Sequence, residues 1–168
     1  MLSTLRLSAA VLIAGTLSVA AQDLAAPEGP VILTVSGQVS ATNAGDMAEL
    51  DLAMLEEIGR ETIETETIWT EGVQTFEGVP LHALVEALGI EGEMLRATAI
   101  NDYTVEIPLS DAVEGGALVA YSLNGAPMSV RDKGPLWVVY PFDADADFRT
   151  EVIYSRSIWQ LDRIEAVD

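Results

Sequence analysis

Apolar and polar positions along this 168-residue chain alternate more often as strands do than as helices do. Val31 to Val39 (Val-Ile-Leu-Thr-Val-Ser-Gly-Gln-Val) is β-branched and partly alternating, which predicts an opening strand. Asp51 is placed to cap a short helix running to Ile58, with Gly59 ending it. Glu61 to Trp69 alternates in part and predicts a strand with one wet face. Pro80 stands where a first helical residue belongs, and Leu81, Leu84, Val85 and Leu88 form an apolar stripe that Gly89 terminates. Leu95 to Ile100 and Thr104 to Pro108 read as strands around the turn Asn101-Asp102-Tyr103, followed by a short helix near Ser110 to Val113. Ala117 to Ser122, Leu136 to Tyr140 and Ile158 to Val167 complete the strand set. Strands with a few short helices and no regular βαβ alternation define the α+β class: a single, mostly-β domain.

The first residues read as an address rather than as structure. Arg6 precedes a small and apolar stretch, Leu7 to Ala21, that ends in Ser18-Val19-Ala20-Ala21-Gln22 and fits a small-residue cleavage site. The stretch is too short to span a bilayer comfortably. Residues 1–21 are therefore expected to be a signal peptide cleaved after Ala20 or Ala21, and residues 22–168 a single domain, soluble in the periplasm after cleavage.

Charge narrows the choice of partner. Eight basic residues face 27 acidic ones, a formal net charge of −19 that loss of Arg6 would make one unit more negative. Such a field repels nucleic acid and anionic lipid, so no nucleic-acid partner is expected. Five of the eight basic residues (Arg131, Lys133, Arg149, Arg156 and Arg163) fall in the last 38 positions, and the only lysine lies in the Gly/Pro-rich stretch 124–136. Arg149 and Arg163 suit structural salt bridges; Arg131 and Lys133 mark a candidate binding loop. Cysteine is absent, which removes thiol nucleophiles, redox pairs and thiolate metal sites.

Most catalytic motifs are missing. His82 is the only histidine and lies one position beyond the apolar stripe, as a partly exposed surface residue would. Asp143-Ala-Asp145-Ala-Asp147 has the spacing of half a calcium loop, but Phe148 and Tyr154 stand where such a loop needs glycine and a bidentate glutamate. No catalytic residue and no metal are expected. What remains is a set of polar and aromatic clusters at strand ends: Trp69-Thr70-Glu71-Gly72, Asn101-Asp102-Tyr103, Arg131-Asp132-Lys133-Gly134-Pro135 and Tyr154-Ser155-Arg156-Ser157. Aromatic faces, a carboxylate and amide or guanidinium donors together suit a planar polar heterocycle. The candidate ligand contacts are Trp69, Thr70, Asn101, Asp102, Tyr103, Arg131, Lys133, Ser155 and Arg156.

These clusters, with Phe76-Glu-Gly-Val-Pro-Leu81, Ala99 to Pro108, Asn124 to Leu136, Tyr140-Pro141 and Tyr154 to Leu161, resemble the small exported members of the molybdopterin-binding oxidoreductase domain, the sulfite oxidase fold. The likeness spans residues 31 to 166. In catalytic members a cysteine thiolate just before the Phe/Trp-x-Gly-Val-Pro-Leu segment ligates molybdenum; here Thr67-Ile-Trp-Thr-Glu-Gly72 has none. Some cysteine-less members are periplasmic pterin-binding proteins that act with membrane-bound signalling enzymes, including regulators of cyclic-di-GMP. The resemblance implies a pterin or molybdopterin-like ligand without the metal, and a membrane-bound sensor or cyclic-di-GMP enzyme as partner. Trp69 or Tyr103 would stack on the ring, Asp102 would pair with its amino-pyrimidine edge, and Arg131, Lys133 and Arg156 would hold its oxygens. Two alternatives stand beside it: a molybdopterin oxidoreductase with a non-cysteine metal site, and an interaction module without a small ligand.

Overall fold

The computed structural model describes residues 22–168, so the expected signal peptide lies outside the described residues. Its early strands are β1 (Gln22–Asp23), β2 (Leu33–Gly37), β3 (Ala41–Thr42) and β4 (Ala48–Leu50). Helix α1 (Leu52–Ile58) is followed by β5 (Glu61–Glu66), β6 (Val73–Pro80) and α2 (Leu81–Leu88). Next come β7 (Met94–Ala99), β8 (Thr104–Pro108), β9 (Leu118–Leu123), β10 (Ala126–Pro127) and β11 (Leu136–Val139). Helix α3 (Glu151–Arg156) leads into the last strand, β12 (Trp159–Val167). The mostly-β α+β architecture expected from the sequence is the one observed.

Ten strands form one sheet with β12 at its junction. The start of β12 pairs antiparallel with β11, while Arg163 to Ala166 run parallel to β2 and antiparallel to β7. From β11 the sheet continues through β9 and β6 to the edge strand β5; from β2 it ends at β4, and β8 extends it beyond β7. Leu33, Val35, Leu161, Ile164, Val138 and Val139 are all buried along these central strands. The edge strand β5 keeps Glu64 and Glu66 exposed, a charge pattern that opposes edge-to-edge association.

Local chemistry accounts for the helices. The Asp51 carboxylate accepts from Met54 N at 3.0 Å, capping α1, and also from Glu28 N at 2.9 Å and Gly29 N at 2.7 Å. Pro80 proves to be the last residue of β6, with Leu81 opening α2; Leu81, Leu84 and Leu88 are buried, and Gly89 closes the helix at φ 58°. The short helix expected near Ser110 is a 3-10 turn, Leu109–Asp111. The short strands β1, β3, β4 and β10 were not anticipated, nor were α3 and β6, which is sandwiched between β5 and β9 with a register shift at Glu77/Gly78. A Cβ at Gly78 would run into the Val119 carbonyl, so glycine is required where β6 crosses β9.

Two stability outcomes follow from these contacts. Gly78→Ala is expected to destabilise the fold by about 1–3 kcal/mol, read as a lower urea midpoint, because backbone must move to admit the methyl group. The amide groups of Met54, Gly29 and Glu28 hold the Asp51 carboxyl below the ordinary aspartate range, against an opposing contribution from burial. A lowered folded-state pKa contributes stability above the ordinary value and loses it as the pH falls through the folded one. Asp51→Ala should therefore unfold earlier than wild type at neutral pH, with the gap closing in acid denaturation series.

Candidate ligand-binding site

A cleft of about 400 Å³ opens where the turn after β7, the loop after β5 and the α3–β12 junction meet. Trp69, Ala99, Asn101, Tyr103, Tyr154, Ser155, Ser157, Ile158, Trp159 and Gln160 line it. Four of the nine expected contacts are thus brought together: Trp69, Asn101, Tyr103 and Ser155.

The aromatic wall is continuous with the core. Trp69 packs edge-on against Trp137, Phe142, Tyr154 and Trp159, with ring centroids 5.9, 6.2, 5.7 and 5.7 Å away. Trp137 is fully buried, stands 5.2 Å from the Phe76 ring, and donates its indole N–H to Ser157 O at 3.2 Å. Such edge-to-face pairs add about 0.5–1.5 kcal/mol each beyond their buried area.

Polar groups fill the remaining perimeter. Asn101 Oδ1 accepts from Tyr103 N at 3.2 Å, which leaves its side-chain NH₂ with no partner among the described residues. Gln160 donates from Nε2 to Val130 O at 2.6 Å, leaving Oε1 as an acceptor. The Ser155 and Ser157 hydroxyls donate to Val152 O and Ile153 O, at 2.7 and 2.9 Å; Ser155 is exposed and keeps its lone pairs available, while Ser157 is buried in the floor. The cleft thus offers amide and hydroxyl acceptors, an amide donor and aromatic faces.

The other five expected contacts are engaged elsewhere or lie outside the lining. Thr70 shares a hydrogen bond with the Thr67 hydroxyl at 2.7 Å. Asp102, expected to meet the ligand's amino-pyrimidine edge, gives its carboxylate to Arg163 at 2.8 Å. Arg156 Nη1 lies 2.9 and 3.2 Å from the two Asp111 oxygens, and Tyr140 donates its hydroxyl to the same carboxylate at 2.7 Å. Burial, and then Asp111 beside it, raise the Tyr140 phenol well above its ordinary pKa. Arg131 is exposed in the 3-10 turn Val130–Asp132 and is not part of the lining. Lys133 lies outside the lining, its ammonium 5.5 Å from the Trp137 ring centroid and 5.7 Å from that of Trp159. Of the two arginines expected in structural bridges, Arg163 pairs with Asp102 and Asp162, and Arg149 forms none among the described residues.

Tyr154, Ser157, Trp159 and Gln160 line the cleft without having been singled out as contacts. The signal lay in the run from Tyr154 to Gln160, where aromatic, hydroxyl and amide residues alternate just before an apolar strand. The acidic segment 143–147 is structural: Asp143 Oδ2 accepts from Glu66 N at 2.6 Å, and Asp145 caps a 3-10 turn through Asp147 N at 3.0 Å. His82 is partly buried, and its Nδ1 has no partner among the described residues.

Residues 32–144 match the oxidoreductase molybdopterin binding domain, and the chain belongs to that family. Its fold is similar to that of the sulfane dehydrogenase SoxCD from Paracoccus pantotrophus, at 17% identity and a TM-score of 0.57. That alignment covers 81% of this chain and 38% of the other, so this chain spans well under half of its structural relative. Comparison with curated proteins gives no match.

The residues present fit only part of a molybdenum cofactor. Aromatic faces and the Asn101, Gln160 and serine groups suit a pterin ring. The chain has no cysteine to supply a thiolate, and no cluster of three or more His, Asp or Glu side chains gathers among the described residues. No arginine or lysine belongs to the lining, where a cofactor phosphate would need one.

Asp111→Ala should cost about 2–4 kcal/mol in urea denaturation, because it strands the partly buried Arg156 cation and orphans the Tyr140 hydroxyl. Arg131→Ala, which removes an exposed side chain outside the lining, should leave stability within about 0.5 kcal/mol of wild type.

Proposed function

We propose that this molybdopterin-binding-type domain is an exported module that binds a pterin-type heterocycle without turning it over, and couples its occupancy to a membrane-bound signalling partner. The observation that carries this reading is the cleft itself: two indoles, two phenols and a perimeter of amides and hydroxyls, in a chain with no cysteine. A ring slotted between Trp159 and Tyr103 would present its N–H edge to Gln160 Oε1 and the Ser155 hydroxyl, and its carbonyl to the Asn101 NH₂. The missing thiolate argues against oxo transfer of the kind that catalytic family members perform. Export is supported by the apolar stretch ending at Ala21, and the partner by the resemblance. Tyr103 and Trp159 in the lining and Ile100 next to it in sequence, each more than a third exposed, give such a partner an apolar surface to meet.

Titrating ligand-free protein, from Gln22 onward, with neopterin and with its tetrahydro form should give saturable 1:1 heat and quench tryptophan fluorescence. Trp159→Leu and Asn101→Ala should each weaken binding roughly tenfold, since stacking alone is worth about 1–3 kcal/mol, whereas Arg131→Ala should leave it unchanged. No heat with either pterin would sink the reading. Stoichiometric molybdenum in protein purified from its native compartment would promote the oxidoreductase alternative.

A further inference from the structure

Two of the arginines beside the cleft are already committed to carboxylates, and Lys133, 5.7 Å from the Trp159 ring centroid, lies outside the lining. Arg163 donates from Nη2 to Asp102 Oδ1 at 2.8 Å and to Ala99 O at 3.0 Å, and from Nε to Asp162 at 2.9 Å. Ala99 belongs to the lining, so this guanidinium lies directly behind the turn that walls the cleft. Arg156 stands in sequence between two lining serines, yet its guanidinium is held by Asp111. Every lining side chain is neutral, and the chain as a whole carries −19.

From this we infer that Asp102 and Asp111 set the selectivity of the cleft. By holding Arg163 and Arg156 they leave a neutral lining that takes an unphosphorylated pterin and excludes its phosphate ester. The inference rests on the pterin-binding reading above. A phosphate monoester carries nearly two negative charges at neutral pH, and burying it without a cationic partner is costly. Asp102 adds direct repulsion: it lies between the lining residues Asn101 and Tyr103, with its side chain 83% exposed. Its backbone is left-handed at φ 65°, a conformation asparagine also tolerates, so Asp102→Asn removes the charge without straining the turn. Arg163 would keep its bonds to Asp162 and Ala99, and its charge beside the cleft turn would no longer be offset by that of Asp102.

Neopterin and neopterin 3′-monophosphate are titrated into the same ligand-free protein at about 0.01 M and about 0.15 M salt. Neopterin should bind at least roughly tenfold more tightly than the ester at low salt, a difference of about 1.4 kcal/mol. Added salt should narrow the gap by screening the acidic field. Asp102→Asn should narrow it severalfold through tighter ester binding, with neopterin affinity unchanged. Ester affinity equal to or above that of neopterin in wild type overturns the inference and leaves pterin binding intact. A preference for neopterin that Asp102→Asn does not shift removes Asp102 from the selectivity. Failure of both compounds to bind removes the pterin reading itself, and the inference with it.

Discussion

The edge-on packing of Trp69 against four other rings joins the candidate site to the core. Trp69 lies in a loop of the chain, between β5 and β6, where no ladder of backbone hydrogen bonds fixes it. Its position is set by Trp137, Phe142, Tyr154 and Trp159. The same network takes in Phe76, Tyr140 and Phe148, so every tryptophan and phenylalanine of the chain is in it. Without disulfides to hold loops in place, this interlocking aromatic layer pre-organises the cleft wall. A ligand stacking on Trp159 would therefore meet a surface braced from behind by the fully buried Trp137.

Electrostatics completes the wall in an unexpected way. In a strongly acidic chain, a cation near a cleft has many carboxylates to satisfy before it can meet a ligand. Arg156 and Arg163 are both taken up in this manner, and Lys133 spends its charge on the faces of two indoles. Cation–π contact of this kind is worth about 0.5–2 kcal/mol. The basic C-terminal third thus builds the site from outside its lining, by fixing the turn after β7, the end of α3 and the Trp159 ring.

Much of the architecture was legible because it rests on local signals. The alternation of β2 and β12, the Asp51 cap and the Leu81–Leu88 stripe each survive in three dimensions. Strand β6 escaped because Pro80 reads as the start of a helix and glycine is depleted in strands; Gly78 is there for the close approach to Val119, and Pro80 ends the strand one residue before α2. Helix α3 is only 6 residues long, too short for a periodic stripe. In the site, Trp69, Asn101, Tyr103 and Ser155 could be found because aromatic and polar residues at strand ends point to loops on a rigid frame. Charge alone misled: Arg156 lies 45 positions from Asp111, and nothing local announces that pairing.

Backbone strain singles out the residue that binds these parts together. Four non-glycine residues have positive φ, and three of them, Asp102, Lys133 and Gln160, surround the cleft. Gln160, at φ 54°, occupies a register shift between β12 and β11 in which Trp159 pairs with Trp137 and Leu161 with Leu136. That bulge keeps Trp159 38% exposed at the wall while Leu161 is fully buried two residues on. Gln160 also donates its N–H to Lys133 O at 2.9 Å and accepts from Ile100 N at 2.9 Å, while its side chain holds Val130 O. One strained residue therefore ties the turn after β7, the basic loop and the first residues of β12 into a single frame. Conformations of this kind cost of order 1–3 kcal/mol each and persist where surrounding contacts over-determine them. Their concentration around one cleft, in a fold whose other left-handed positions are glycines apart from Asn124, is what a preformed binding site requires.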